Sequence, residues 1–261
     1  MIPVILYYHF RYMIKFARHP EKYPLEYRFK VAQKEIKMAL KHLKVEYKFK
    51  NMEMLNGLKE NALVISNHLS DADPLILIAQ SEKPLTFVAK EEVFKFPFVG
   101  KVAKALEVHS LSRSNLMAQV RQINNVVESL KDPNKPSCII YIEGHRNRHP
   151  ENPCLDFHPG TLKIAKSAGV PILTVATYGT HRVLAKNSCL NPVLTQFKCL
   201  KLYSKEEVSK IDTAKFAVEL KQIMDKEVDE LRKVDLEYLN NLKISNKKRE
   251  LESLCDIRVK S

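Results

Sequence analysis

The chain lacks tryptophan, holds only six glycines, and contains no apolar run approaching the length of a membrane span. A spanning helix needs about 20 consecutive apolar residues, whereas the longest apolar stretches here lie near residues 1–10 and 74–79. We therefore expect no transmembrane helix. The five cysteines form an odd set without CxxC spacing, which argues against a disulfide framework or a structural zinc site and favours a reducing compartment.

Acidic residues are scarce in the first part of the chain, and positive charge concentrates there. The net charge is +13, and residues 1–50 contain twelve Lys or Arg against four Asp or Glu. Lysines recur at every third or fourth residue from Lys30 to Lys44, and apolar residues occupy the opposite side of the same helical pattern. This pattern predicts a basic amphipathic helix.

A similar helix is predicted before it, over residues 2–17, and prolines at positions 20 and 24 separate the two. The pattern of this helical hairpin fits two interpretations. Either its apolar face packs on the body of the protein with the lysines in water, or the hairpin lies on a membrane surface. A nucleic-acid partner is not expected, because no zinc-finger, RNP or helix-turn-helix signature accompanies the lysines.

The rest of the chain alternates β-rich runs with helical stretches, which is typical of an α/β fold with a mixed, largely parallel sheet flanked by helices. We expect a basic hairpin over residues 1–44, an α/β domain over 45–235 and a charged C-terminal tail over 236–261. Strands are predicted at residues 63–66, 85–89, 108–111, 138–142, 170–176 and 193–203, with another beginning at residue 45. Helices are predicted at residues 74–80, 115–130, 161–168 and 213–232.

Two polar residues that suit proton transfer, His68 and Asp73, follow the strand predicted at residues 63–66. A neutral histidine accepts a proton near pH 7, and a carboxylate on its other ring nitrogen orients it. The pair therefore suits activation of a hydroxyl as a nucleophile. By itself the spacing is more typical of a buried histidine beside a helix cap formed by Asp73 ahead of Pro74, and Asp71 is a competing carboxylate.

A second group of polar residues follows the strand predicted at residues 138–142. Glu143, Gly144 and Arg146 come directly after it, and an arginine at the end of a strand suits recognition of a phosphate. Arg113, after another predicted strand, supplies a second candidate contact. In isolation these residues are more typical of an ion pair between Glu143 and Arg146 and of a surface position for Arg113.

Two further patterns are less specific. Residues with metal-binding side chains occur at irregular spacing, so we expect no metal site among them: His145, His149, Asp156 and His158. The aromatic run over residues 93–99 fits either the lining of an apolar groove or ordinary core.

Together these motifs resemble those of the glycerolipid acyltransferase family, which includes 1-acylglycerol-3-phosphate acyltransferases. Residues 67–73 resemble the family's NHx4D motif, and "VHSLSR" at residues 108–113 is similar to its second motif, which ends in arginine. "YIEGHR" at residues 141–146 resembles FPEGTR, and "VPILTVA" at residues 170–176 resembles the VPIxPVxI strand. The N-terminal helical pair is similar to the membrane-docking hairpin of bacterial members.

The resemblance implies an enzyme that transfers an acyl group from an acyl thioester to the sn-2 hydroxyl of 1-acyl-sn-glycerol 3-phosphate, giving phosphatidic acid. It implies that His68 is the general base and that Asp73 orients it. No cofactor is implied, and acyl-CoA or acyl carrier protein supplies the acyl group as co-substrate. The expected partners are an anionic membrane surface and lysophosphatidic acid, and the expected location is the cytoplasmic face of the cell membrane, as a peripheral, monotopic protein.

The resemblance also assigns the acceptor site. The phosphate of the acceptor is expected to meet residues of the second and third motifs: Arg113, Glu143, Gly144 and Arg146. His145 and Lys163 are further candidates for the acceptor site. The chain departs from the family pattern in these segments, where Glu107 replaces glycine, Ile142 replaces proline, His145 replaces threonine and Thr174 replaces proline. Two alternatives therefore stay open: a different acceptor, such as glycerol 3-phosphate or another lysophospholipid, and a catalytically silent membrane-binding protein of the same fold.

Overall fold

A seven-stranded sheet forms the centre of the protein. The computed structural model describes residues 2–112, 115–183, 185 and 193–241. The strands are β1 (Val45–Lys50), β2 (Leu63–Ser66), β3 (Leu85–Lys90), β4 (His109–Leu111), β5 (Ser137–Tyr141), β6 (Ile172–Tyr178) and β7 (Val193–Tyr203). Their order across the sheet is β1-β7-β6-β2-β5-β3-β4, and every neighbouring pair is parallel except β6 and β7. The prediction of a mixed, largely parallel sheet is confirmed.

Helices precede the sheet and connect its strands. They are α1 (Ile2–Tyr8), α2 (Ile14–Arg18), α3 (Leu25–His42), α4 (Glu53–Asn56), α5 (Asp73–Gln80), α6 (Val99–Ala105), α7 (Leu116–Lys131), α8 (Pro159–Ala168), α9 (Lys205–Lys210) and α10 (Thr213–Asn241). A π-helical segment, His9–Met13, joins α1 to α2, so that residues 2–18 are helical throughout. The long final helix continues past residue 232, where the sequence pattern predicts its end.

The sheet is covered on both faces, which makes its central strands apolar along their whole length. In β2, Val64 faces a core shared with α3, α5 and α6, whereas Leu63 and Ile65 face a second core shared with α7, α8 and α10. All four residues of β2 are buried. This double burial explains why the strand is readable in the sequence as a short continuous apolar run.

The second helix of the N-terminal hairpin, which comprises residues 2–42, is part of the body of the protein. Phe29, Ile36 and Leu40 of α3 are buried in the same core as Val64. The lysines of the predicted basic stripe lie on the outer face and are exposed: Lys30, Lys34, Lys37 and Lys41. For α3, therefore, the apolar stripe packs on the body, and only the charge faces outward.

The first helix of the hairpin is divided between core and surface. Met13 and Phe16, near its end, are buried in the core. No residue of α1 is buried, and Val4 and Tyr7 are among its exposed apolar side chains. No helix in the described ranges combines the length and the apolarity needed to cross a bilayer.

Glu107, which replaces glycine in the second motif, joins the hairpin to the sheet. Its φ of 54° lies in the left-handed region that favours glycine. Its carboxylate accepts hydrogen bonds from Arg28 of α3 at 2.5 Å and from Lys135 at 2.6 Å. Burial raises the pKa of Glu107, but these two cations outweigh burial and hold the pKa below its ordinary value. The departure thus has a structural reason, because the carboxylate connects α3 to the segment just before β4, which begins two residues after Glu107.

Replacing Ile36 by alanine tests whether α3 belongs to the core. The buried side chain fills space that the surrounding residues cannot fully close, so we expect Ile36→Ala to lower the free energy of unfolding by about 2–4 kcal/mol. The exposed neighbour provides the control, since Lys37→Ala should change it by less than about 0.5 kcal/mol. Urea unfolding of both variants measures the difference. Equal, small effects would show that α3 detaches freely from the body.

Candidate active site

The parallel strands bring their carboxyl ends to one edge of the sheet, here called the carboxyl edge, and the candidate site lies there. In the sheet β2 is flanked by β5 and β6, with Ser66 paired to Tyr141 and to Val175. The loops that follow β2 and β5 therefore begin side by side. Ligand sites in open α/β sheets commonly form at this edge, where loops following neighbouring strands converge.

His68 and Asp73 meet in the loop after β2. His68 Nδ1 lies 2.7 Å from Asp73 Oδ2. The carboxylate is fully buried, whereas the histidine side chain is 16% exposed. An ionised carboxylate only accepts hydrogen bonds, so Nδ1 donates to it and the lone pair of the ring is left on Nε2. This is the arrangement that a general base requires.

Asp73 is oriented toward His68 by the backbone of the same loop. Its Oδ2 also accepts hydrogen bonds from the backbone N–H of Leu69 at 2.8 Å and of Ser70 at 2.9 Å. The helix cap weighed in the sequence analysis is not formed, because Ala72 is the N-cap residue of α5 and Asp73 lies inside the helix. The competing carboxylate, Asp71, instead pairs with Arg146.

Glu143 connects the loop after β5 to His68 and is fully buried. Its Oε1 accepts the backbone N–H of His68 at 2.7 Å, and its Oε2 accepts the backbone N–H of Leu155 at 2.9 Å. Burial raises the pKa of Glu143 to about 7, although these two hydrogen bonds act in the opposite direction. Glu143 therefore positions the loops, and the alternative of an ion pair between Glu143 and Arg146 is not observed.

Gly144 allows the loop after β5 to turn beside His158. Its φ of 71° is left-handed, and an added Cβ would lie 2.9 Å from the His158 ring. Both the backbone conformation and the close approach require glycine. Further along the same loop, the backbone N–H of Asn147 donates to the carbonyl of His68 at 2.7 Å. The loop thus reaches His68 on two sides.

Arg146, in the loop after β5, contacts the loop that contains His68 and Asp73. Its Nη1 is 2.7 Å from Asp71 Oδ2, and both side chains are partly exposed. A partly exposed ion pair contributes little stability, so its partner can be exchanged at low cost. Since Asp71 lies in the loop between His68 and Asp73, the guanidinium lies beside this pair of residues.

The remaining predicted site residues are placed differently. His145 is exposed in the loop after β5. Lys163, on α8, lines a shallow surface depression with Asp212 and Thr213 at the start of α10. Arg113 lies outside the described residues. Within the described ranges, the structure does not assemble three metal-binding side chains into a cluster.

Two residues of the site carry no assigned role in the sequence analysis. The Tyr141 ring stacks on His68, with centroids 4.1 Å apart and an interplanar angle of 17°. Asn67 is buried and bonds both backbone groups of Thr177 on β6, at 3.0 Å and 2.8 Å. In the sequence, Tyr141 could have been recognised as an aromatic residue shortly before the Glu143-Gly144 pair. Asn67 could have been recognised as a polar residue directly after a buried strand.

The chain is similar in sequence to a known protein family. A sequence model of the family described as Acyltransferase matches residues 44–178, which is more than half of the chain and includes His68, Asp73, Glu143 and Arg146. The chain belongs to this acyltransferase family. The family resemblance inferred from the motifs is confirmed.

Named relatives match a somewhat longer part of the chain than the family model does. A protein of Mycoplasma genitalium, named a probable 1-acyl-sn-glycerol-3-phosphate acyltransferase, is 32% identical over 176 residues, which are 66% of this chain and 63% of that protein. The 1-acyl-sn-glycerol-3-phosphate acyltransferase of Borreliella burgdorferi is 28% identical over 53% of this chain and 54% of its own length. The matched region thus spans between about half and two thirds of these relatives.

The fold is similar to that of a solved structure. The 1-acyl-sn-glycerophosphate acyltransferase PlsC from Thermotoga maritima aligns with a TM-score of 0.61 over 88% of this chain and 95% of its own, at 22% sequence identity. This alignment includes more of the chain than the family match. It confirms the α/β architecture with an N-terminal helical region.

The raised pKa of Glu143 predicts a pH dependence of stability. Below the ordinary pKa of 4.5, the carboxyl is protonated in both folded and unfolded states; between 4.5 and about 7 the folded state keeps a proton that the unfolded state has lost. The stabilisation that Glu143 provides is therefore fully present below pH 4.5 and is lost as pH rises to about 7. The free energy of unfolding of the wild type relative to Glu143→Gln should fall over this interval, by about 3 kcal/mol at most. Urea unfolding at several pH values measures it, and a constant difference would contradict the raised pKa.

Proposed function

We propose that this protein transfers an acyl group from an acyl thioester to the sn-2 hydroxyl of 1-acyl-sn-glycerol 3-phosphate, giving phosphatidic acid for phospholipid synthesis. The observation that carries the proposal is the 2.7 Å hydrogen bond between His68 Nδ1 and the buried carboxylate of Asp73, at the edge where Arg146 also lies. The names of the relatives support the choice of acceptor.

The proposed reaction is a direct transfer between two substrates. Nε2 of His68 takes the proton of the acceptor hydroxyl as its oxygen attacks the thioester carbonyl. The carbon–sulfur bond then breaks, and the leaving thiolate takes a proton from the imidazolium. Asp73 stabilises that imidazolium while it exists, as carboxylates do in related hydrolytic sites. The protein forms no covalent bond to the acyl group, and the step uses no cofactor beyond the acyl donor, acyl-CoA or acyl carrier protein.

Binding of the acceptor is assigned to Arg146 because it presents a guanidinium beside the general base. A guanidinium matches the geometry of a phosphate and binds it through two parallel N–H groups. Holding the phosphate fixes the position of the neighbouring hydroxyl beside His68, and this positioning lowers the entropic part of the activation barrier. Glu143 contributes by joining the two loops through its hydrogen bond with the backbone N–H of His68, while its bond with Leu155 holds the Arg146 loop itself in place.

We also propose that the protein works as a peripheral, monotopic protein on the cytoplasmic face of the cell membrane. The acceptor and the product are amphiphiles that reside in bilayers. The outer face of α3 presents lysines at helical spacing, each of which contributes about 1 kcal/mol of attraction to anionic lipid near the surface. Because the inner face of α3 is core, this docking is best tested by replacing lysines and leaving the hairpin in place.

Removing the general base tests the chemistry. His68→Ala should abolish acyl transfer, and Asp73→Asn should lower kcat by about 10²-fold or more because the imidazolium loses its counter-charge. His42→Ala, which changes an exposed histidine at the end of α3, is the matched control and should retain full activity. Release of thiol from acyl-CoA gives the rate, and circular dichroism checks that each variant is folded. Near-native transfer by His68→Ala would refute the mechanism.

Replacing the arginine tests the acceptor. Arg146→Gln should raise the KM for lysophosphatidic acid by about 10- to 100-fold, with a smaller change in kcat, because a charge-assisted hydrogen bond to phosphate is lost. Lys210→Gln removes the same charge from an exposed site in α9 and should leave KM unchanged.

The same assay on several acceptors distinguishes the alternatives. Lysophosphatidic acid, glycerol 3-phosphate and a neutral lysophospholipid are compared at equal acyl-donor concentration. Preference for glycerol 3-phosphate or for the neutral lipid would assign a different acceptor, and no transfer to any of them would favour a silent membrane-binding protein. Running acyl-CoA beside acyl carrier protein identifies the donor.

A further inference from the structure

The connection between β3 and β4 exposes large apolar side chains at the carboxyl edge of the sheet. Phe96 is 60% exposed, Phe98 46% and Val99 43%. We call residues 96–99 the aromatic loop. It follows β3 through a 3-10 turn, Glu91–Lys95, and β3 is parallel to β5, so it leaves the sheet at the edge where His68 lies. The sequence pattern fits ordinary core or a groove, but these side chains project from the surface.

The aromatic loop is continuous with the first helix of the hairpin. The Phe98 ring lies 4.7 Å from the His9 ring and 6.5 Å from the Phe10 ring. The helix itself exposes a further set of apolar side chains, from its first residues to Phe10: Ile2, Val4, Leu6 and Tyr7. These contacts make one apolar surface of the loop and the helix. Soluble proteins rarely expose contiguous apolar patches of this kind without a partner.

A third element exposes apolar side chains at the same edge. Leu116 and Met117, in the first turn of α7, are 73% and 76% exposed, and Val120 follows one turn later. The helix follows β4, which is parallel to β3. Gln122 of α7 donates a hydrogen bond to Glu91 at 3.0 Å, which ties α7 to the turn that leads into the aromatic loop.

The three elements also share a sign of charge. Residues 2–18, 93–106 and 115–127 contain no Asp or Glu. Their basic residues are Arg11, Lys15, Arg18, Lys95, Lys101, Lys104 and Arg121. Two acidic residues, Glu91 and Glu92, lie in the turn before the aromatic loop, but cations predominate around the apolar side chains. This combination matches an anionic lipid surface, where the rings enter the interface and the cations meet the headgroups. An acidic protein partner would satisfy the cations but would leave a projecting apolar surface spread over three elements to be covered.

We propose that the aromatic loop and the first turn of α7 contact the bilayer together with the first helix, so that the membrane lies against the carboxyl edge on both the hairpin side and the α7 side. This inference rests on the proposed function in one respect, which is that the acceptor is delivered from a bilayer. It assigns α3 a purely electrostatic part in docking and gives the apolar part to side chains outside α3. The orientation places the His68 edge toward the lipid.

Vesicle binding by matched variants of the full chain tests the proposal. The probes are vesicles of equal parts phosphatidylglycerol and phosphatidylcholine. Phe96→Ser should lower the partition coefficient about fivefold, and Leu116→Ser combined with Met117→Ser about tenfold, because each removes apolar area from the interface. Val218→Ser is the control, since Val218 is 61% exposed near the start of α10, beyond the opposite end of the sheet. It should leave binding unchanged.

Salt separates the apolar part from the electrostatic part. Raising the ionic strength from about 0.1 M to about 0.5 M should weaken binding of every variant, since exposed charges are screened. The ratio between the wild type and Phe96→Ser should persist at high salt, because apolar contact is not screened. Replacing Lys34 and Lys37 by Gln should show the reverse, with its difference from the wild type vanishing at high salt.

Two results would overturn the proposal. One is wild-type binding by both apolar variants, which would leave docking to the hairpin alone; the other is equal loss with Val218→Ser, which would indicate non-specific adsorption. Thermal unfolding checks that each variant is folded.

Acyl transfer to a short-chain, monomeric lysophosphatidic acid is measured in parallel and should be equal in all variants. Absence of that activity in the wild type would reject the proposed function, while the vesicle data would still decide the surface.

Discussion

Two neighbouring parallel strands, β2 and β5, end at the same edge of the sheet, and one buried carboxylate joins the loops that follow them. Glu143 accepts the backbone N–H of His68 with one oxygen and that of Leu155 with the other. Burying a carboxyl without a cation is unfavourable, and burial accordingly raises the pKa of Glu143. What the structure gains is a buried connection between the two loops, which the bond from the Asn147 N–H to the His68 carbonyl and the pair of Arg146 with Asp71 reinforce.

The N-terminal hairpin shows how one sequence pattern can serve two physical environments. The helices over residues 2–18 and 25–42 both have apolar and basic residues at helical spacing. The second, α3, buries its apolar stripe in the core, whereas α1, at the start of the first, buries none of its apolar residues. Arg28 connects α3 to Glu107, which lies just before the second motif and its strand β4. The hairpin is therefore bonded to the segment that leads into the second motif.

The local sequence pattern predicted element bounds correctly where a strand is buried along its length or where backbone sterics require one residue type, such as glycine. β2 occupies residues 63–66, and β7 residues 193–203, as the sequence predicts. Helix α8 ends at Gly169 because its φ of 68° favours glycine. Short helices such as α6 were missed, since a helix of two turns carries too little periodicity to be read. The sequence left open whether the aromatic run at residues 93–99 is buried or exposed, because hydrophobicity alone does not show whether an apolar side chain packs in the core of the protein or lies on its surface.

The residue types of the site, their order along the chain and the strands that carry them were determined by the sequence alone, because buried parallel strands and the motifs after them have readable patterns. Spacing alone left open which carboxylate reaches His68; the family resemblance points to Asp73, and the tertiary structure shows the contact and its physical reason. Asp71 and Asp73 are equivalent by composition, but the backbone N–H groups of Leu69 and Ser70 hold Asp73 inward and Arg146 takes Asp71. The role of Glu143 was likewise set in three dimensions, since a hydrogen bond across 75 residues leaves no local signal.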